Sequence, residues 1–245
     1  MRRVLFRWKG VTVWSYPAML YIGLVAGVVA GNRAAHATGA DAFRVFAATF
    51  LLLPPALAGA RLLYVASHWK DYKETPRRVW NRSEGGLAMY GAMPVMLLLS
   101  VPVLAALGLG FGAFWDAASF TILTGIAITK IGCLLNGCCA GQPSRSSFAF
   151  TLPNARGMRE QRIPVQCLEA AWAAIVLGAA CALLGHLPFH GALFLSVAVL
   201  YSAGRFALEA LREPEPSAGK IAVGKTAAFL TAVSGAVLLV IRWPQ

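Results

Sequence analysis

Seven apolar stretches, each near the length needed to cross a lipid bilayer, constrain this chain more than any other feature of its sequence. A helix crosses the hydrocarbon core in about 20 residues, and the backbone inside it must satisfy its own hydrogen bonds. The stretches predict helices over about Tyr16–Gly31, Ala42–Ala66, Gly85–Leu107, Ala113–Leu135, Val165–Leu187, Gly191–Leu211 and Val223–Ile241. Pro54-Pro55 is expected to break or kink the second, since neither residue donates a backbone hydrogen bond. The basic start, first apolar core and Ala35-His36-Ala37 imitate a signal peptide, but Tyr16-Pro17 and six further spans favour a retained helix. With 58% hydrophobic and 13% charged residues, the expected class is an all-α polytopic membrane protein. Its seven transmembrane helices would surround a central polar cavity within one membrane-embedded domain, residues 1–245, with no internal repeat.

The formal net charge of +12 resides in short segments between the spans, where anionic lipid headgroups are the nearest partner, so nucleic acid is not expected as one. Seven crossings put the amino-terminal segment and residues 67–84, 137–164 and 212–225 on one strongly basic face. Arg33, Arg44 and Arg242 are nearly all the opposite face holds. Counted by the positive-inside rule, the basic face would be cytoplasmic. Five cysteines match neither a secreted disulfide framework nor a zinc ribbon.

Polar groups interrupt the spans on the basic face, and such groups at membrane depth are costly enough to need a reason. Lys130, Cys133, Asn136, Gly137, Cys138, Cys139 and Gly141 end the fourth span and read as one wall of an active site. Near the end of the sixth, Arg205, Glu209 and Arg212 share a helical stripe, with Arg205 roughly 10 Å deeper than Arg212 at 1.5 Å per residue. A guanidinium there suits a phosphate, or simply forms an intrahelical ion pair with Glu209. Gln166 and Glu169 share a face one turn into the fifth span, where Glu169 is either a cavity residue or a partner of the helix dipole. Tyr90 opens the third, as a site hydroxyl or an interfacial anchor. Cys133, Cys138 and Cys139 serve equally as small packing residues, and neither a histidine nor a fourth cysteine is placed to complete a tetrahedral metal site.

In order, Tyr16-Pro17, Arg61, Arg78-Val79-Trp80, Gly85-Gly86, Tyr90-Gly91, Lys130-x-Gly132-x-x-x-Asn136-Gly137-x-x-x-Gly141, Arg162-x-Pro164-x-Gln166-x-x-Glu169 and Gly204-Arg205-x-x-x-Glu209-x-x-Arg212-x-Pro214 resemble the phosphatidylglycerol:prolipoprotein diacylglyceryl transferase family. The resemblance covers nearly the whole chain. It implies a seven-helix enzyme of the bacterial cytoplasmic membrane, with no metal or organic cofactor. The enzyme would move diacylglyceryl from phosphatidylglycerol to the lipobox cysteine thiol of a prolipoprotein, releasing glycerol phosphate. Carried over by position, Arg205 and Lys130 would hold phosphate, Glu209 would orient Arg205, and Tyr90 would stand at a catalytic position. Asn136, Gly137 and Gly141 would shape the headgroup site, Gln166 and Glu169 would line the cavity, and Tyr16, Arg61 and Arg162 would complete the substrate-binding set.

Three departures accompany the match. Met89-Tyr90-Gly91-Ala92 replaces a motif whose histidine the family uses, Lys130 replaces an arginine, and Cys133, Cys138 and Cys139 stand where polar residues are usual. The acceptor thiol's proton would then go to Tyr90, Glu169 or His68, or be lost beforehand to solvent. The family's site faces the outside of the membrane, opposite to the charge count. The alternatives are a paralogue that binds anionic phospholipid with another acceptor or no catalysis, and a transporter or cysteine-based metal or redox protein.

Overall fold

The computed structural model describes residues 3–8, 11–74, 79, 89–153, 158–213 and 223–243. The chain enters through an antiparallel hairpin, β1 (Val4–Trp8) and β2 (Val11–Trp14), and passes into α1 (Ser15–Ala37). Then come α2 (Ala42–Ser67), a single turn α3 (Trp69–Tyr72), α4 (Met89–Ala106) and α5 (Phe111–Asn136). A second hairpin, β3 (Phe150–Pro153) with β4 (Arg159–Arg162), precedes α6 (Val165–Leu183), α7 (Ala192–Glu209) and α8 (Val223–Arg242). Among the described residues six helices are long and apolar enough to cross a membrane, and α4 contributes a shorter apolar segment, Gly91–Ala106. The protein is an all-α, multi-pass membrane protein, as the hydropathy pattern predicts.

Most helix ends fall within a few residues of expectation, and the deviations have local causes. The first helix runs on past Gly31 to Ala37, and α6 stops at Leu183 because Leu184 turns extended and Gly185 adopts φ +77. The predicted start of the third helix, with Gly85 and Gly86, lies outside the described residues. Pro54 and Pro55 do not break α2, which runs unbroken through both. Each removes only one i−4 hydrogen bond, and neighbouring turns hold the helix. The hairpins were not expected: the polar lead-in contains β1, and the 137–164 connection contains β3 and β4, paired Phe150↔Arg162 through Pro153↔Arg159.

α5 is the central element, packed against α1 and α6 and touching α7, while α2 pairs with α4 and α7 with α8. The α1–α5 contact is close because Gly23, Gly27 and Gly31, one per turn of α1, lie buried against α5. In lipid, where neighbouring chains are as apolar as the helices, such small-residue stripes let dispersion hold helices together. Apolar packing fills the end away from the basic face. Trp115 and Phe114 meet Leu52 and Leu104 there, and the Trp115 indole N–H donates to Ser100 Oγ at 3.1 Å. Asp116 fastens the same end, accepting backbone N–H bonds from Gly191 at 2.7 Å and Phe194 at 2.9 Å where α7 begins.

A β-carbon at Gly27 would lie 2.5 Å from the Thr121 carbonyl oxygen, so Gly27→Val must push α1 off α5. Thermal unfolding in detergent should show a loss of about 1–3 kcal/mol. Gly178→Val, with nothing within 4 Å, should stay within about 0.5 kcal/mol of the parent.

Candidate active site

The ends of α5, α6 and α7 on the basic face bring five charged side chains together. Glu169, one turn into α6, is 1% exposed and cannot be solvated, so it needs cations within reach. Lys130 supplies one through an ion pair from α5, and Arg205 Nη1 supplies another from α7 at 2.7 Å. Arg205 also pairs with Glu209 one turn along its own helix, and Arg212 Nη1 stands 3.8 Å from both carboxylates. Among the described residues three cations thus face two carboxylates, a formal excess of +1. Arg205 is 7% exposed, whereas Lys130, Arg212 and Glu209 keep 18%, 19% and 21%, so the network opens along the edge these three share. Helix packing sets the meeting: Gly204 leaves room for the Trp172 indole, whose N–H donates to Leu200 O at 3.2 Å, drawing α6 onto α7.

The loop after α5 forms the next wall. Gly137 caps the helix at φ +78, and its N–H donates to Cys133 O at 2.9 Å. The Gln166 amide then donates to Cys138 O at 2.6 Å, while Gln166 Oε1 is buried with no donor among the described residues. Gly141 is the crossing point of three segments: its N–H donates to Ile163 O, and a β-carbon would lie 2.7 Å from the carbonyls of Ile163 and Leu211. Arg162, 2% exposed, locks that crossing. It donates to Gly141 O at 2.9 Å and forks onto Glu213 at 2.6 and 2.9 Å, with Glu160 as a further partner. Burial alone would lower the Arg162 pKa, but Glu213 and Glu160 more than offset this and raise it, so the fork stays charged.

A family model of prolipoprotein diacylglyceryl transferase matches residues 3–241. The chain belongs to this family. Similar proteins include phosphatidylglycerol–prolipoprotein diacylglyceryl transferases of Enterococcus faecalis, 28% identical over 98% of this chain and 90% of the relative, and of Halalkalibacterium halodurans, 29% identical over 86% and 75%. A second such transferase of Clostridium perfringens is 24% identical over 97% of this chain and 94% of its own.

Within this diacylglyceryl transferase fold, Lys130, Glu169, Arg205 and Glu209 come together, with Gln166, Gly137 and Gly141 around them. Asn136 ends α5, and its carbonyl accepts from Arg3 Nε at 3.2 Å. Tyr16 is the second residue of α1, with its backbone against Gly132 of α5. Arg61 has partners of its own: its Nε donates to Val79 O at 2.8 Å, and its guanidinium lies 5.5 Å from the Tyr72 ring centroid and 5.7 Å from that of Tyr64. His68 stacks on Tyr64 at 4.3 Å. The side chain of Tyr90 lies outside the described residues. Sequence reasoning placed Arg212 on the stripe without assigning it to the site, and it missed Glu213 and Arg3. The spacing of Glu209 and Arg212 was a usable signal for the first. Nothing local marks the other two, whose partners lie 51 and 133 positions away.

Removing Glu169 leaves buried cations facing one another, which should cost about 3–5 kcal/mol on the scale of broken buried ion pairs. In a double-mutant cycle by thermal unfolding, Glu169→Ala with Arg205→Ala should lose less than the sum of the two singles. Additive losses would mean that the two groups do not share one network.

Proposed function

We propose that this chain transfers the diacylglyceryl group of phosphatidylglycerol to the lipobox cysteine thiol of a prolipoprotein in the bacterial cytoplasmic membrane. The observation that carries the reading is the excess of one positive charge in a network buried among helix ends. A phosphodiester headgroup carries one negative charge and would neutralise it. Sulfur attacks the glycerol carbon bonded to the phosphate oxygen, and the C–O electron pair leaves on that oxygen. The phosphate thereby goes from one negative charge to two, so cations held around it stabilise the transition state more than the bound lipid.

Glu169 is the resident anion of the site. An incoming phosphate competes for Lys130 and Arg205, Glu209 keeps Arg205 oriented, and Arg212 adds charge at the open edge. A carboxylate released from its cations is placed to take the acceptor's thiol proton. An unperturbed thiol with pKa near 8.5 already supplies a few per cent thiolate at neutral pH, and neighbouring cations raise that share. Glu169 thus takes a part that the family gives to a histidine. Asn136, Gly137, Gly141 and Gln166 shape the headgroup pocket, where the free Gln166 Oε1 suits a glycerol hydroxyl donor. Tyr16, Arg61 and Arg162 act around it, Arg162 by holding the loop. The site faces the outer side, where an exported prolipoprotein meets the membrane, and its basic residues answer lipid phosphate rather than topology signals.

Expression in a strain depleted of its own transferase should restore growth and lipoprotein modification. Arg205→Ala should abolish both, and Lys130→Arg should retain them. Protein that folds, binds anionic lipid and never complements would favour the acceptor-free paralogue. A reporter fused after Gln245 should be active only in the cytoplasm; activity confined to the outside would overturn the lipobox reading.

A further inference from the structure

Three thiols beside the phosphate site have no part in the reaction above. Cys133 lies in the last turn of α5, and Cys138 and Cys139 follow the Gly137 cap. Cys139 has φ +61, the single non-glycine residue with positive φ among the described residues. That conformation costs of order 1–3 kcal/mol and persists only where its surroundings impose it. With Gly137 at φ +78 it folds the chain back over the helix end, bringing the three Sγ atoms within 4.8 Å of one another. All three are free thiols.

Sulfurs sharing one ion at about 2.3 Å in a trigonal plane lie about 4 Å apart, so the cluster need contract by less than about 1 Å. Histidine, aspartate and glutamate are absent from this group of ligand atoms among the described residues. Zinc asks for a fourth donor, whereas thiolates alone satisfy a soft ion that accepts three. We propose that Cys133, Cys138 and Cys139 form a three-thiolate site for Cu(I), adjoining the proposed lipid-phosphate site and sharing Lys130 and Arg212 with it. Three S–H bonds release their protons, three Cu–S bonds form, and copper stays monovalent. The complex carries two negative charges in formal count. Lys130, one helical turn before Cys133, and Arg212, whose backbone bridges to Gly141 just beyond Cys139, offset them.

Full-length protein in detergent, reduced and free of oxygen, would be loaded with Cu(I) from a competing chelator and desalted. Copper per chain and peptide-resolved alkylation would then be read without reference to transfer activity. The proposal expects one copper per chain, with Cys138 and Cys139 protected from alkylation on loading while Cys181 still reacts. Cys138→Ser with Cys139→Ser should lose the copper, and Cys181→Ser should keep it. Should the double variant fail to fold, Cys139→Gly serves, because glycine accepts the left-handed backbone while removing one ligand. It should hold copper at least about tenfold more weakly. Absence of copper from the reduced wild type or undiminished retention by Cys139→Gly would overturn the site.

Discussion

The carboxylate of Glu169 is the point on which the rest of this structure depends. Buried to 1% exposure, it is out of reach of bulk water, and its partners are cations from two other helices, Lys130 of α5 and Arg205 of α7. A buried ion cluster contributes little net stability, because desolvation offsets much of its Coulomb energy. What it does supply is register. If α6 slides by a turn, Glu169 loses both partners and is stranded in a medium that cannot solvate it, while Lys130 loses its carboxylate and Arg205 keeps only Glu209. Apolar faces alone would tolerate such a slide, since lipid and helix surfaces are equally greasy. The close fit of Trp172 over Gly204 becomes effective once the ion pairs have chosen the alignment.

The same cluster suits a charged lipid. Carboxylates already hold these cations in place, so the proposed transfer would need little further reorganisation. In that proposal Glu169 would compete with phosphate for the same cations and moderate ground-state binding, while the growing charge on the leaving phosphate would meet the full set. Lys130 would suit its place at the more exposed edge, since a compact ammonium lacks the bidentate fork of arginine but follows a moving anion.

Each end of the bundle is fastened differently. At the far end Asp116 takes two backbone N–H groups at the start of α7, and Trp115 fills the space between helices. At the site end Arg162 binds Gly141 and Glu213, so the loop after α5 and the exit of α7 move as a unit. The strained backbone at Cys139 belongs to that loop, which explains how three thiols come to share one small volume.

Hydropathy alone determined the helices, since a bilayer admits little else for an apolar run of that length. Ordered motifs likewise marked Lys130, Glu169, Arg205 and Glu209, because charges at membrane depth are conspicuous against an apolar background. The hairpins stayed hidden, being four or five residues long and with register set by partners beyond the turn. Tertiary structure alone decided that Glu169 unites Lys130 with Arg205, that Arg212 joins them, that Arg162 is bound by Glu213, and that the cysteines converge. The ion pairs join residues tens of positions apart, which only the packing of one helix against another brings into contact, and the cysteines, close in sequence, meet through a left-handed turn that no local pattern announces.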